Sequence, residues 1–217
     1  MTVDQRPLAP VGGLRELKKQ RTRDALLRVA LELFTTQGYE QTTIDEIADA
    51  VDVSQRTFFR YFANKEAVVF AAQDTVESHF VDALRERPPA EGPFTAMRRA
   101  ALSAWDTLEE LLSPVVPVGL YMRTYQVIES TPALLAVHLR RSAEVEERVA
   151  RLVAEREGLD IDSDPRPRVA VAAFTGVMRV AGGLWGQGGD PSVAAIRALT
   201  ADYLDHLGPA LADDWRT

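Results

Sequence analysis

The chain contains no cysteine in 217 residues. Disulfides, thiol nucleophiles and thiolate metal sites are therefore excluded. Histidine is scarce as well. His79, His138 and His206 are the only three, and none has ligand spacing to another, so no metal site and no cofactor is expected. No run of about twenty apolar residues appears, and no membrane span is expected. The opening MTVDQRPLAPVGG lacks the basic-then-apolar pattern of a secretory signal, so a cytoplasmic protein is expected. An alternating strand pattern of useful length is missing, and so is an internal repeat. Gly186-Gln187-Gly188-Gly189 follows a helical pattern rather than a strand, so it is no dinucleotide loop. With no nucleophile in sight either, the chain does not read as an enzyme.

What the chain does have is a motif between Thr42 and Lys65, TTIDEIADAVDVSQRTFFRYFANK. Thr43 can N-cap a helix, and Glu46 three residues on completes a capping box. Ile44, Ile47, Ala48 and Val51 then form one apolar face. Ser54 can N-cap a second helix, with Phe58 and Phe62 one turn apart and pointing inward. Gln55, Arg56 and Thr57 open that helix on its other sides. This is a helix, a tight turn and a helix whose polar N-terminus suits the major groove of DNA. A helix expected over 18–37 precedes it, with Leu26, Val29, Ala30, Leu33 and Phe34 as its stripe and Gly38 as its stop. The three should pack into one unit.

A net charge of −7 looks wrong for a DNA binder. The charge is unevenly spread, however. Residues 1–62 carry nine basic and nine acidic side chains, and residues 63–217 carry sixteen and twenty-three. Before the motif, Arg15, Lys18, Lys19, Arg21, Arg23 and Arg28 face only Glu16 and Asp24. Such a basic arm can serve phosphate contacts or be a solvated tail.

With its upstream helix, the motif resembles the DNA-binding domain of the TetR family of bacterial repressors. Thr42-Thr43, Ile47-Ala48, Val53-Ser54, Thr57-Phe58, Tyr61-Phe62 and Lys65-Glu66-Ala67 carry the match, which is long and ungapped. The resemblance implies that Gln55, Arg56 and Thr57 read bases and that Thr43, Tyr61 and Lys65 meet phosphates. Lys65 also sits in the first turn of a helix, where the dipole disfavours a cation by a few tenths of a kcal/mol; a phosphate there would remove the conflict. Two residues depart from the family pattern. Asp52 stands where glycine is usual in the turn, and Asp tolerates the left-handed conformation better than most. Phe59 stands where tyrosine is usual, so a hydroxyl is lost and contact with a thymine methyl becomes available. Arg60 either compensates or is solvated.

The remainder reads as helical. A helix is expected over 64–87, and others near 94–112, 115–129, 132–157, 165–185 and 191–212. Thr131-Pro132, Asp164-Pro165 and Asp190-Pro191 serve as starts, and Gly158 and Gly208 as stops. The expected class is all-α with about nine helices. Residues 1–14 form a disordered tail, 15–63 the DNA-binding domain and 64–217 a ligand-binding and dimerisation domain. The segment Val169 to Ala181 is apolar on every side and should be buried all round. The family implies a homodimer through the last two helices; a monomer core is the alternative. Trp105, Tyr121, Met122, Tyr125, His138, Phe174 and Met178 are candidates to line a site for a small effector, against an ordinary core role. Tyr121 to Arg141 faintly resembles members that sense acyl-CoA-type ligands. The expected function is a repressor released from a pseudo-palindromic operator, the rivals being an enzyme and a helical module that does not bind DNA.

Overall fold

The structure, a computed structural model, describes residues 13–212. The expected tail therefore lies almost wholly outside the described residues, but Gly13 already caps a helix and Leu14 is inside it. Every element among the described residues is helical. In order they are α1 Leu14–Thr36, α2 Ile44–Asp49, α3 Gln55–Phe59, α4 Lys65–Val69, α5 Ala71–Arg85, α6 Pro93–Asp106, α7 Leu108–Leu112, α8 Val118–Ser130, α9 Pro132–Glu157, α10 Arg166–Gln187 and α11 Val193–Leu211.

Eleven helices replace the expected nine because two long patterns are broken. Phe70, at φ −88° and ψ −6°, separates α4 from α5. Thr107, at φ −103° and ψ 4°, separates α6 from α7. Both breaks are tertiary. The Phe70 ring stacks on His138 with a centroid distance of 6.4 Å, under the Arg141 guanidinium at 5.1 Å. The Thr107 hydroxyl donates to the Ser103 carbonyl at 2.9 Å and pairs with His79 Nε2 at 2.9 Å. Three further expectations need correcting. Helix α1 begins at Leu14, four residues earlier than expected, so Arg15 joins the other basic residues up to Arg28 on one helix. Gly208 does not end α11, which runs through it and Pro209 to Leu211. That helix is capped by Ser192, whose hydroxyl accepts from the Ala195 N–H at 3.1 Å, rather than by Asp190.

The three N-terminal helices pack as the stripe requires. Leu26, Ala30 and Phe34 of α1 are buried with Ile47 of α2, Phe58 of α3 and Phe62. The same core continues into Leu120, Tyr121 and Met122 of α8, so α1 is held on both sides. A second core joins Leu84, Met97, Val149, Val153, Val171 and Phe174.

Helix α10 differs from expectation. Its segment is not buried all round: Val169 is 65% exposed, and Val180 and Leu184 are each 45% exposed. Ala170, Val171, Phe174, Ala181 and Trp185 occupy its inner face. By length and composition alone α10 passes for a membrane span, as a core helix also does, although Arg168, Thr175 and Arg179 interrupt its apolar run. Its inner face is nevertheless packed against α6, α8, α9 and α11, as a core helix is.

The turn between α2 and α3 places Asp52 at φ 55°. That is the left-handed region, reached through hydrogen bonds from Asp52 N–H to the Asp49 carbonyl and from Val53 N–H to the Ala48 carbonyl, both 3.0 Å. Asp52→Gly should raise stability to urea by roughly 0.5–1 kcal/mol, and Asp52→Val should lower it by at least as much.

Candidate functional site

The reading surface is built by caps. Thr43 and Glu46 form the expected capping box. Glu46 Oε2 accepts from the Thr43 N–H at 2.7 Å and from its hydroxyl at 2.9 Å, and these bonds hold the Glu46 carboxyl below its usual pKa. The Ser54 hydroxyl accepts from the Thr57 N–H at 3.2 Å and lies 3.0 Å from the Thr57 hydroxyl. Thr57 is thereby oriented, and its hydroxyl is shared with the cap. Gln55 and Arg56 are exposed, and among the described residues no hydrogen bond engages either side chain. Phe59 is 49% exposed, its ring braced edge-on by buried Phe58 at 5.6 Å. Gln55, Arg56 and Phe59 therefore share one open face, with Phe59 one turn beyond Gln55. Arg60 Nη2 donates to the Tyr61 hydroxyl at 3.1 Å, and its guanidinium lies over the Tyr61 ring.

Lys65 corrects the dipole argument. Its ammonium donates to the Tyr39 carbonyl at 2.8 Å and to the Thr42 carbonyl at 2.7 Å, and it lies 4.4 Å from the centre of the Tyr39 ring. The unfavourable position at the start of α4 is offset from within, by tying α4 to the segment before α2. An ammonium has three N–H donors, so one remains for a phosphate.

A second feature lies away from the head. Six of the seven candidate effector residues, Trp105, Tyr121, Tyr125, His138, Phe174 and Met178, line one cavity of about 200 Å³. Met122 does not belong with them. It sits one residue past Tyr121 on α8, is 2% exposed and belongs to the core that includes α1. Three helices each offer the cavity a pair of residues one turn apart: Gln73 and Glu77 on α5, Tyr121 and Tyr125 on α8, Phe174 and Met178 on α10. The α8–α10 approach is close at Gly182, where a Cβ would meet the Tyr125 hydroxyl at 2.7 Å.

The α5 contribution was missed in the sequence. Gln73, Glu77 and Phe80 lie at i, i+4 and i+7, so a polar pair on the face that ends in Phe80 was the available signal. Gln73 is 6% exposed, and its Nε2 donates to His138 Nδ1 at 2.9 Å. Burial lowers the His138 pKa, keeping the ring neutral, and raises those of both tyrosines. Burial also pushes Glu77 up to about 7, although the Arg148 guanidinium 4.0 Å away pulls it down. Glu129, beside Tyr125, is raised as well, first by burial. Among the described residues no cluster of three metal-ligating side chains occurs.

Comparison with known proteins fits both halves. Residues 26–72 match the family described as bacterial regulatory proteins of the tetR family, and residues 91–212 match the MftR C-terminal domain. The chain is similar to the HTH-type transcriptional regulator TcmR of Streptomyces glaucescens, 45% identical over 204 residues, covering 94% of this chain and 90% of that one. It is also similar to MftR of Mycobacterium tuberculosis, named as a regulator of mycofactocin biosynthesis, 31% identical with 84% and 87% coverage. Among solved structures, SmeT in its complex with triclosan shares the fold at a TM-score of 0.60 and 19% identity, covering 88% and 91% of the chains. NalD, the secondary repressor of the MexAB-OprM multidrug efflux pump in Pseudomonas aeruginosa, does so at 0.56 and 18%, covering 87% and 96%. These relatives are regulators and not enzymes, and the head and the helical body are matched together in one chain: the protein belongs to the TetR family of transcriptional regulators and binds DNA through its helix-turn-helix.

Proposed function

We propose that this regulator is a repressor that leaves its operator when a small apolar or amphipathic molecule enters the cavity. One observation carries the reading. Helix α5 walls the cavity with Gln73, Val76, Glu77 and Phe80, and across the Phe70 break it continues into α4, whose Lys65 grips the segment leading into α2. Phe70 stacks on His138, which itself lines the cavity and meets Tyr125 edge-on at 5.9 Å. A molecule that moves His138 therefore acts directly on the junction beneath the head. A ligand changes such an equilibrium only through different affinities for two states. Here one state would hold two heads about one DNA turn apart, roughly 34 Å. A tenfold loss of operator affinity needs only about 1.4 kcal/mol of coupling.

In this reading residues 15–63 read DNA in the cytoplasm, and residues 64–217 hold the effector and pair two chains through α10 and α11. The pairing is supported by the outer apolar stripe of α10, where Val169, Val180 and Leu184 lie exposed. Two-fold pairing selects a pseudo-palindromic operator. Gln55, Arg56 and Thr57 would read base edges, with Phe59 beside them. Thr43, Tyr61 and Lys65 would meet phosphates.

The experiment that tests the whole reading is a gel shift on DNA upstream of the protein's own gene, repeated with a metabolite library. At least one compound should both raise the melting temperature and release the DNA. A library that does neither, acyl-CoA thioesters included, removes the effector.

For the head, Gln55→Ala should cost roughly 1–3 kcal/mol of operator affinity and leave random-sequence binding almost unchanged. Lys65→Ala should weaken operator and random DNA alike and flatten the salt dependence by about one unit of slope. A slope equal to wild type would leave Lys65 only its bracing role.

For pairing, Val180→Glu introduces a charge at a position that is open in the single chain, so folding should survive. Sedimentation equilibrium should show the wild type as a dimer at micromolar concentration and the variant as a monomer with weakened operator binding. A wild-type monomer would end the pairing model.

A further inference from the structure

The α5 wall of the cavity offers one acceptor that has no donor, the Gln73 carbonyl oxygen, with the Glu77 carboxyl beside it. His138 Nε2 lies 3.8 Å from Glu129 Oε1, which favours the proton on that nitrogen and leaves Nδ1 as an acceptor. The Gln73 amide must then turn its Nε2 to His138, as it does at 2.9 Å. Its Oε1 is left buried without a partner. An unpaired buried carbonyl oxygen is uncommon in a folded protein. One turn further along the same face, Glu77 also lines the cavity, with the Arg148 guanidinium 4.0 Å away and Arg141 on the same polar pocket beside it.

No hydrogen bond from the groups around Glu77 reaches the Gln73 carbonyl oxygen. On its own helix Asp74 is paired with Arg141 of α9. From α9, Glu144 adds a negative charge and raises the Glu77 pKa further. Arg148 leaves 60% of its side chain in water. From α8, Tyr121 and Tyr125 present rings and hydroxyls. From α10, Arg179 is exposed. The α5 side of the cavity thus holds an unpaired carbonyl oxygen and a carboxyl, and the basic side chains beside it are solvated or already paired. The remaining walls are aromatic: Trp105, Tyr121, Tyr125, and Phe80 stacked with Phe174 at 6.3 Å.

We propose that the effector of this cavity is an aromatic molecule carrying a protonated amine, its N–H groups held by the Gln73 carbonyl oxygen and the Glu77 carboxylate. The inference rests on the effector reading above and adds the sign of the charge. An ammonium satisfies the orphan oxygen, pairs with the half-buried Glu77 carboxylate and is attracted by the ring faces. A carboxylate-bearing ligand would meet acceptors with an acceptor, beside Glu77.

The test uses three molecules of one shape: 2-naphthylmethylammonium, 2-naphthylmethanol and 2-naphthoate. Each is titrated calorimetrically into the full chain at pH 8 and pH 6. At pH 8 the ammonium compound should bind at least tenfold more tightly than the other two. Its affinity should fall about tenfold at pH 6, because Glu77, titrating at about 7, takes up a proton that the cation must displace. Glu77→Gln should bring the ammonium compound level with the alcohol and remove the pH dependence, and Gln73→Met should weaken it while sparing the alcohol. Retained binding of the alcohol shows that the variant cavity is intact; should a variant bind nothing, the wild-type ranking decides. Equal or tighter binding of the alcohol or the naphthoate overturns the proposal, as does failure of all three to bind. If one of those two binds best and releases the upstream DNA, effector control stands and only the amine specificity falls. If a bound compound leaves DNA affinity unchanged, effector control itself is at fault.

Discussion

Helices of six and five residues do not hold themselves in water. The whole reading head depends on that constraint. Helices α2 and α3 exist because Ile47, Phe58 and Phe62 are buried against Leu26, Ala30 and Phe34 of α1, and because Thr43 and Ser54 satisfy their first N–H groups. Helix α1 in turn shares its core with α8. The surface that meets DNA is thus fixed to the helix that carries Tyr121 and Tyr125. A head mounted in this way has little freedom to move independently of the body.

The second connection runs through α4. A single helix over 64–87 would have been a stiff rod. The break at Phe70 turns it into two segments joined at a ring stacked on His138. The junction has polar partners on both sides, with Gln73 on His138 beneath it and Lys65 on two carbonyls above it. Packed rings and hydrogen bonds of this kind adopt discrete arrangements rather than deforming smoothly. The junction is where the wall of the cavity and the support of the head share residues.

The cavity and the outer face of α10 illustrate one point in two ways. A helix apolar all round must be covered on all sides. Within the single chain α10 is covered on one side only, and its outer residues remain open. Likewise the cavity is walled by aromatics from four helices, Phe80 of α5, Trp105 of α6, Tyr121 and Tyr125 of α8 and Phe174 of α10, and an unfilled cavity is a cost to packing.

The sequence by itself determined what depends on local spacing. The caps at Thr43 and Ser54, the apolar stripe of α1, the left-handed turn at Asp52 and the open polar start of α3 all follow from residues within a few positions of one another, where hydrogen bonding and periodicity act directly. Six of the seven candidate cavity residues were legible because large aromatics and Met concentrate in one region. Only tertiary structure decided the rest. Met122 lies one residue from Tyr121, and on a helix one residue is a rotation of about 100°, enough to turn it from the cavity into the core. The breaks at Phe70 and Thr107 come from partners 68 residues on and 28 residues back, which no local window contains. The position of Lys65 in the first turn of α4 was legible, but the groups its ammonium meets are the carbonyls of Tyr39 and Thr42, 26 and 23 residues back. Gln73 and Glu77 went unremarked in the sequence, because a polar residue on a helix carries no local sign of burial and the packing of α5 on α6 and α9 is set only by the assembled fold.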